Sequence, residues 1–129
     1  MSEPTPDAPT APRLIVKVTC GTDDRERANQ GFTVAATAVA AGAMVSLWLA
    51  GDATWLAVAG AEPDLGLEHA APTGELLAAV LESGRVSVCT QCAARRGLTQ
   101  KDLRNGVLIA GAASFVEEVL TPGVHALVY

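Results

Sequence analysis

The chain has 129 residues, enough for one domain with a substantial core, and half of them are hydrophobic while only 4% are aromatic. A net charge of -5 argues against a phosphate-backbone partner, so no nucleic acid is expected, and scarce aromatics remove the stacking platforms of single-strand binders. Three cysteines are an odd number, too few for a disulfide scaffold, and no basic-then-apolar leader opens the chain, so a reducing cytoplasm is the expected setting.

Residues 1–12 carry Pro4, Pro6, Pro9 and Pro12 among polar neighbours and read as a disordered tail, leaving residues 13–129 as a single α/β domain. Residues 14–19 (L-I-V-K-V-T) predict a first strand that ends at Cys20-Gly21. Asp23, with Glu26 three residues on, predicts the capping pair of a helix running to Ala41. That helix carries a polar stripe (Arg25, Asn29, Thr33, Thr37) opposite an apolar one (Ala28, Phe32, Ala35, Val39), with Gly42 as its stop. Residues 43–50 predict a second strand ending at Gly51-Asp52, and Asp52 reads as the cap of a short helix over residues 54–59. The uncharged run over residues 32–51 has the length of a membrane span, but the polar stripe and Gly42 argue against one, so no membrane partner is expected.

An irregular stretch follows over residues 60–72, then a helix over 74–83 closed by Gly84. Residues 85–88 predict a third strand, followed by a helix from Cys89 to Gly97 and a polar turn or short helix over 98–105. A fourth strand (107–110), a helix (111–120), a Thr121-Pro122-Gly123 turn and a last strand (124–128) complete the chain. This alternation predicts an α/β fold of parallel strands joined by crossover helices on both faces.

In such a sheet the loops after successive strands emerge at one edge, where ligands bind. Those loops, the last of them at Gly111 with Ser114, hold Cys20, Gly21, Gly51, Asp52 and Thr90 as candidate binding residues, with Cys89 as the candidate nucleophile. Cys89 stands where an apolar run stops and a helix starts, a place where backbone N–H groups favour the thiolate, the reactive form of cysteine. Cys92 lies one turn on and could resolve a persulfide or sulfenate on Cys89 by forming a disulfide, or could simply pack against the sheet. Cys20 could reach the same pocket, a structural role being the plainer reading. Arg95-Arg96, with Lys101 and Arg104 nearby, reads as a solvated helix face or as an anion contact beside Cys89. Trp48 and Trp55 read as core or interface anchors. The glycine turns form no phosphate-binding fingerprint, His69 reads as a loop residue and His125 as a sheet residue. The cysteine spacing matches no zinc pattern, so neither cofactor nor metal is expected.

The arrangement of strand, Cys89, five residues and Arg95-Arg96-Gly97 resembles the DsrE/DsrF/DsrH-like sulfur-relay family, also described as the YchN-like fold. The resemblance extends over most of residues 13–129, through Cys20-Gly21-Thr22-Asp23-Asp24 and the Gly51-Asp52 turn. It implies a three-layer α/β/α sandwich with a mainly parallel five-stranded sheet, and assembly as homotrimers or homohexamers. It also implies the passage of sulfur as a cysteine persulfide between donor and acceptor proteins, with Cys89 as the persulfide site. Cys92 departs from the relay subunits that carry a lone active cysteine, whereas stand-alone members can carry a C-x-x-C. Two other functions compete with a persulfide carrier of the sulfurtransferase type. One is a C-x-x-C thiol–disulfide oxidoreductase; the other is a non-catalytic module in which residues 60–72 cover a small ligand or partner.

Overall fold

The computed structural model describes residues 11–60 and 65–129. The tail expected over residues 1–12 lies, as far as residue 10, outside the described residues, as do residues 61–64 of the irregular stretch. The strands are β1 (Arg13–Val18), β2 (Met44–Leu49), β3 (Arg85–Cys89), β4 (Leu108–Ala110) and β5 (Val124–Val128). The helices are α1 (Arg25–Ala40), α2 (Thr73–Ser83), α3 (Thr90–Arg95) and α4 (Ala112–Leu120), with 3₁₀ segments at Gly51–Ala57 and Gln100–Asp102.

The sheet order is β4-β3-β2-β1-β5, and all four pairings are parallel. The connections from β1 to β4 step steadily in one direction, whereas the last one, through α4, leaps back across to the far side of β1. Right-handed crossovers travelling in opposite directions put their helices on opposite faces. So α1 and α2 cover one face and α4 the other, giving the α/β fold with helices on both sides that the alternation predicts.

Strand alternation sorts the side chains between these faces. Val16 and Val18, Val45, Leu47 and Leu49, and Val86 and Val88 meet Ala28, Phe32, Ala35, Leu77 and Val80 in one apolar cluster under α1 and α2. Each large aliphatic or aromatic side chain so buried contributes about 1.5–3 kcal/mol. The apolar stripe expected on α1 is the buried one: Ala28, Phe32 and Ala35 have no exposure, and Val39 is partly buried against the cluster.

The opposite face is packed differently. Phe115 of α4 meets Trp48 edge-on, with centroids 5.4 Å apart. The Glu118 carboxylate accepts hydrogen bonds from Ser46 Oγ and Trp48 Nε1, each at 2.6 Å. One aromatic contact and one polar clamp thus seat α4, yet none of its residues is buried, and Leu120 stays 74% exposed.

Two local expectations change, and the expected division of the uncharged run holds. The cap of α1 is Asp24, whose carboxylate accepts from Arg27 N–H, because Asp23 is already taken by the Gly21 N–H at 2.7 Å. The short helix after β2 is a 3₁₀ segment that starts at Gly51, and Asp52 lies inside it without capping it. The uncharged run over residues 32–51 is divided between the end of α1 and β2, and among the described residues no helix is long and apolar enough to cross a membrane.

Candidate functional site

Parallel strands place their ends at one rim. β3 delivers Cys89 there, opposite Ala110 of β4, and the chain turns at once into α3. This helix has six residues rather than the longer span expected, because Arg96 and Gly97 leave the helical path, Gly97 at φ +67°. A helix that short brings local N–H groups rather than a long aligned dipole.

Cys89 is half-buried, and its thiol is held below the ordinary thiol range. Burial alone acts the other way, by penalising the charged sulfur. It is outweighed by the Cys92 N–H, the Cys92 side chain, the Gln91 N–H and the positive charge of Lys17. The Cys89 side chain makes no tight capping hydrogen bond, so these groups act by pointing at the sulfur. Because the folded environment lowers the pKa, the thiolate persists to lower pH than in an unstructured peptide. Iodoacetamide labelling of Cys89, followed by peptide mass spectrometry across pH, is therefore expected to half-rise below the midpoint of a free cysteine peptide. A midpoint at or above the peptide's would contradict this geometry.

Beside the sulfur lies a recess of about 50 Å³, walled by Lys17, Trp48, Phe115, Gly111, Ala112 and the last residues of β2. Lys17 Nζ sits 4.6 Å from the Phe115 ring centroid, a cation resting on an aromatic face. The sequence reading missed Lys17 and Phe115 as neighbours of Cys89. One signal was present: Lys17 is the single charge interrupting the apolar L-I-V-K-V run.

The second thiol is tied differently. Cys92 is 9% exposed, and its Sγ accepts the Gly51 N–H at 3.2 Å. Its carbonyl accepts from Arg96 Nη1 at 3.1 Å, while Arg96 Nη2 pairs with Asp52 Oδ1 at 2.8 Å. The Arg96 guanidinium also lies 6.0 Å from the Trp55 ring centroid. Arg96 is therefore not a solvated helix face, and Asp52 is not a cap. Together they bind the 3₁₀ segment after β2 to the cysteine helix.

The remaining candidates divide. Gly21 lies against the backbone of Asp52, where an added Cβ would come within 2.5 Å of the carbonyl oxygen. Gly51 lies equally tightly on the Thr19 carbonyl. Gly21, Gly51 and Asp52 therefore lock the first two loops together behind the thiols and do not wall the recess. Thr90, exposed at the rim, turns its hydroxyl toward Gly111. Cys20 belongs to the apolar cluster under α1, on the same strand parity as Val16 and Val18, so the structure does not bring it to Cys89. Burial pushes the Cys20 thiol up, and the Asp24 and Asp23 carboxylates push it further, against a smaller pull from Arg27. His69 and His125 are exposed and stand apart from the recess. Among the described residues no three His, Cys, Asp or Glu side chains gather as a metal site.

An all-parallel α/β sandwich with an acidified thiol at its strand-end rim defines a class of thiol-bearing α/β proteins. Within it, the DsrE/DsrF-like family pattern matches residues 13–127, and the chain belongs to that family. An uncharacterized protein of Methanocaldococcus jannaschii, MJ0760, is 33% identical over 114 residues, covering 87% of this chain. The matched region is 41% of that longer protein. The crystal structure of the ychN protein from E. coli superposes with a TM-score of 0.76 at 18% identity, covering 93% of this chain and 100% of that one. MTH1491 from Methanobacterium thermoautotrophicum, a protein of unknown function, gives 0.70 at 12% identity, covering 91% of this chain and 98% of its own. These two structures share the YchN-like fold.

Proposed function

We propose that this chain is a sulfur-relay protein that accepts sulfane sulfur on Cys89 as a persulfide and hands it to a partner. The observation that carries the reading is an acidified, half-buried thiol facing a small recess at the rim of the sheet. Membership of the DsrE/DsrF-like family supports it. In loading, the Cys89 thiolate attacks the outer sulfur of a donor persulfide, R–S–SH. The donor S–S bond breaks, RS⁻ leaves, and Cys89 holds –S–SH, which gives its proton to water. In delivery an acceptor thiolate takes the outer sulfur, and Cys89 departs as thiolate.

The partners in this reading are a sulfur-donor and a sulfur-acceptor protein, in a reducing cytoplasm, with the chain itself a homotrimer or homohexamer. Apolar surface supports assembly: Val116 and Leu120 on α4, with Met44, Leu108 and Val128 on the strands, are all about half exposed or more. Light scattering in solution is expected to return a trimeric or hexameric mass, and a monomer at all concentrations would overturn that part.

A second reading draws on the Cys92 side chain, which points at the Cys89 sulfur and helps to lower its pKa. Cys92 as thiolate could attack the inner sulfur of the Cys89 persulfide, forming a Cys89–Cys92 disulfide and releasing HS⁻. A dithiol that cycles this way is an oxidoreductase. Intact-mass spectrometry after treatment with a persulfide donor separates the two. One retained and transferable sulfur supports the carrier. A protein that loses two hydrogens, releases sulfide and is restored by a reductant supports the oxidoreductase. Neither change points to a non-catalytic binding module.

A further inference from the structure

We propose that the recess beside Cys89 is a subsite for one sulfur atom held as an anion, with the Lys17 ammonium as its counter-charge. The inference deepens the carrier reading and rests on it.

Size sets the first limit. A recess of about 50 Å³ takes one or two water-sized species, each of about 30 Å³. The outer sulfur of a persulfide fits there. The further sulfurs of a polysulfide chain exceed that volume. Charge sets the second. Lys17 is the one basic side chain in the wall, and among the described residues it is in ion-pair contact with no carboxylate. Glu118 of α4 is spent on Ser46 and Trp48. A half-buried ammonium resting on Phe115, with no carboxylate partner, is a prepared site for an anion. Besides Cys89, Lys17 from β1 is the titratable group walling the recess, and Cys92 from α3 faces Cys89 from outside it; β2 and α4 face the recess with uncharged side chains. The rest of the wall is apolar, which strengthens the attraction by excluding water.

The cargo is therefore a single sulfane sulfur, and Lys17 retains it. With inorganic tetrasulfide as probe, the Cys89 thiolate takes one terminal sulfur, the S–S bond next to it breaks, and the trisulfide dianion leaves. Cys89 then carries –S–S⁻, and charge and atoms balance.

The test compares wild type, Lys17→Met and Lys17→Arg, each checked for native circular dichroism, after brief exposure to tetrasulfide and desalting. Intact mass is expected to show one added sulfur on wild type and on Lys17→Arg. Lys17→Met is expected to lose that sulfur several-fold faster. Its Cys89 labelling by iodoacetamide is expected to slow about three- to tenfold at neutral pH, up to one pKa unit, with the midpoint moved upward. Arginine rescue and a moved pH profile are not consequences of a packing defect. Should Lys17→Met fail to fold, Lys17→Gln carries the same comparison. A ladder of two or more sulfurs on wild type, or Lys17→Met matching wild type in retention and pH profile, overturns the subsite alone. No added sulfur on wild type overturns the carrier reading and the subsite with it.

Discussion

Cys89→Ser is expected to abolish sulfur loading outright, while Cys92→Ser and Cys20→Ser keep it. The reaction needs an anion that is also a good leaving group, and a serine hydroxyl stays protonated at neutral pH. The substitution removes one sulfur atom at a half-buried rim position, so the fold should survive and the loss would be chemical. Cys92 offers no substitute nucleophile to a bulky donor, because it is 9% exposed and its sulfur is already held by the Gly51 N–H. Cys20 is 6% exposed inside the cluster under α1, and burial and two neighbouring carboxylates keep it protonated. Intact mass after persulfide loading reads all three variants in one experiment. Added sulfur on Cys89→Ser at the wild-type level would sink the carrier. Loading that fails equally in Cys92→Ser would transfer the chemistry to the pair. The Cys92→Ser variant carries a second prediction within it: any sulfide release with disulfide formation should vanish, since no thiol remains beside Cys89 to attack the inner sulfur.

Local pattern made the strands and Cys89 legible. The apolar runs of β1, β2 and β3 are those of strands covered on both faces, and the thiol follows the third run directly. What the pattern could not supply was contact across the chain. Asp52 carries the composition of a helix cap, but its carboxylate is claimed by Arg96, 44 residues on, which no local rule foresees. Asp23 and Asp24 are equally good caps by composition. The tight turn at Gly21 decides between them by taking Asp23. The three cysteines show the same limit. Alternation places Cys20 with Val16 and Val18, and Lys17 on the other side. Which side α4 covers depends on the reversal in strand order at β1, and that is a property of the whole sheet. Cys20 and Cys89 thus share a rim but not a face, and Lys17 shares the face of Cys89 without any nearness in sequence.

Gly51→Ala is expected to be the most damaging small change behind the site, costing about 2–4 kcal/mol of stability and loosening Cys92. Gly51 has φ +53°, a left-handed conformation that costs an L side chain about 1 kcal/mol or somewhat more. An added Cβ would also press into the Thr19 carbonyl oxygen, and backbone on both sides has little room to yield. Overpacking of that kind adds about 1–3 kcal/mol. Gly97→Ala is the matched control: it has φ +67°, nearly the same backbone, but an added Cβ there meets nothing within 4 Å. It should cost only the conformational part, about 1 kcal/mol. Urea unfolding of the two variants isolates the contact between the first two loops as the difference between them. The functional consequence follows from the same displacement. Gly51 cannot move off Thr19 without moving the N–H that Cys92 Sγ accepts, so the buried thiol of Gly51→Ala should label faster with a small alkylating reagent than in wild type or Gly97→Ala. Equal stabilities and equal Cys92 labelling in the two alanine variants would mean that the Thr19–Gly51 contact does not hold the second thiol in place.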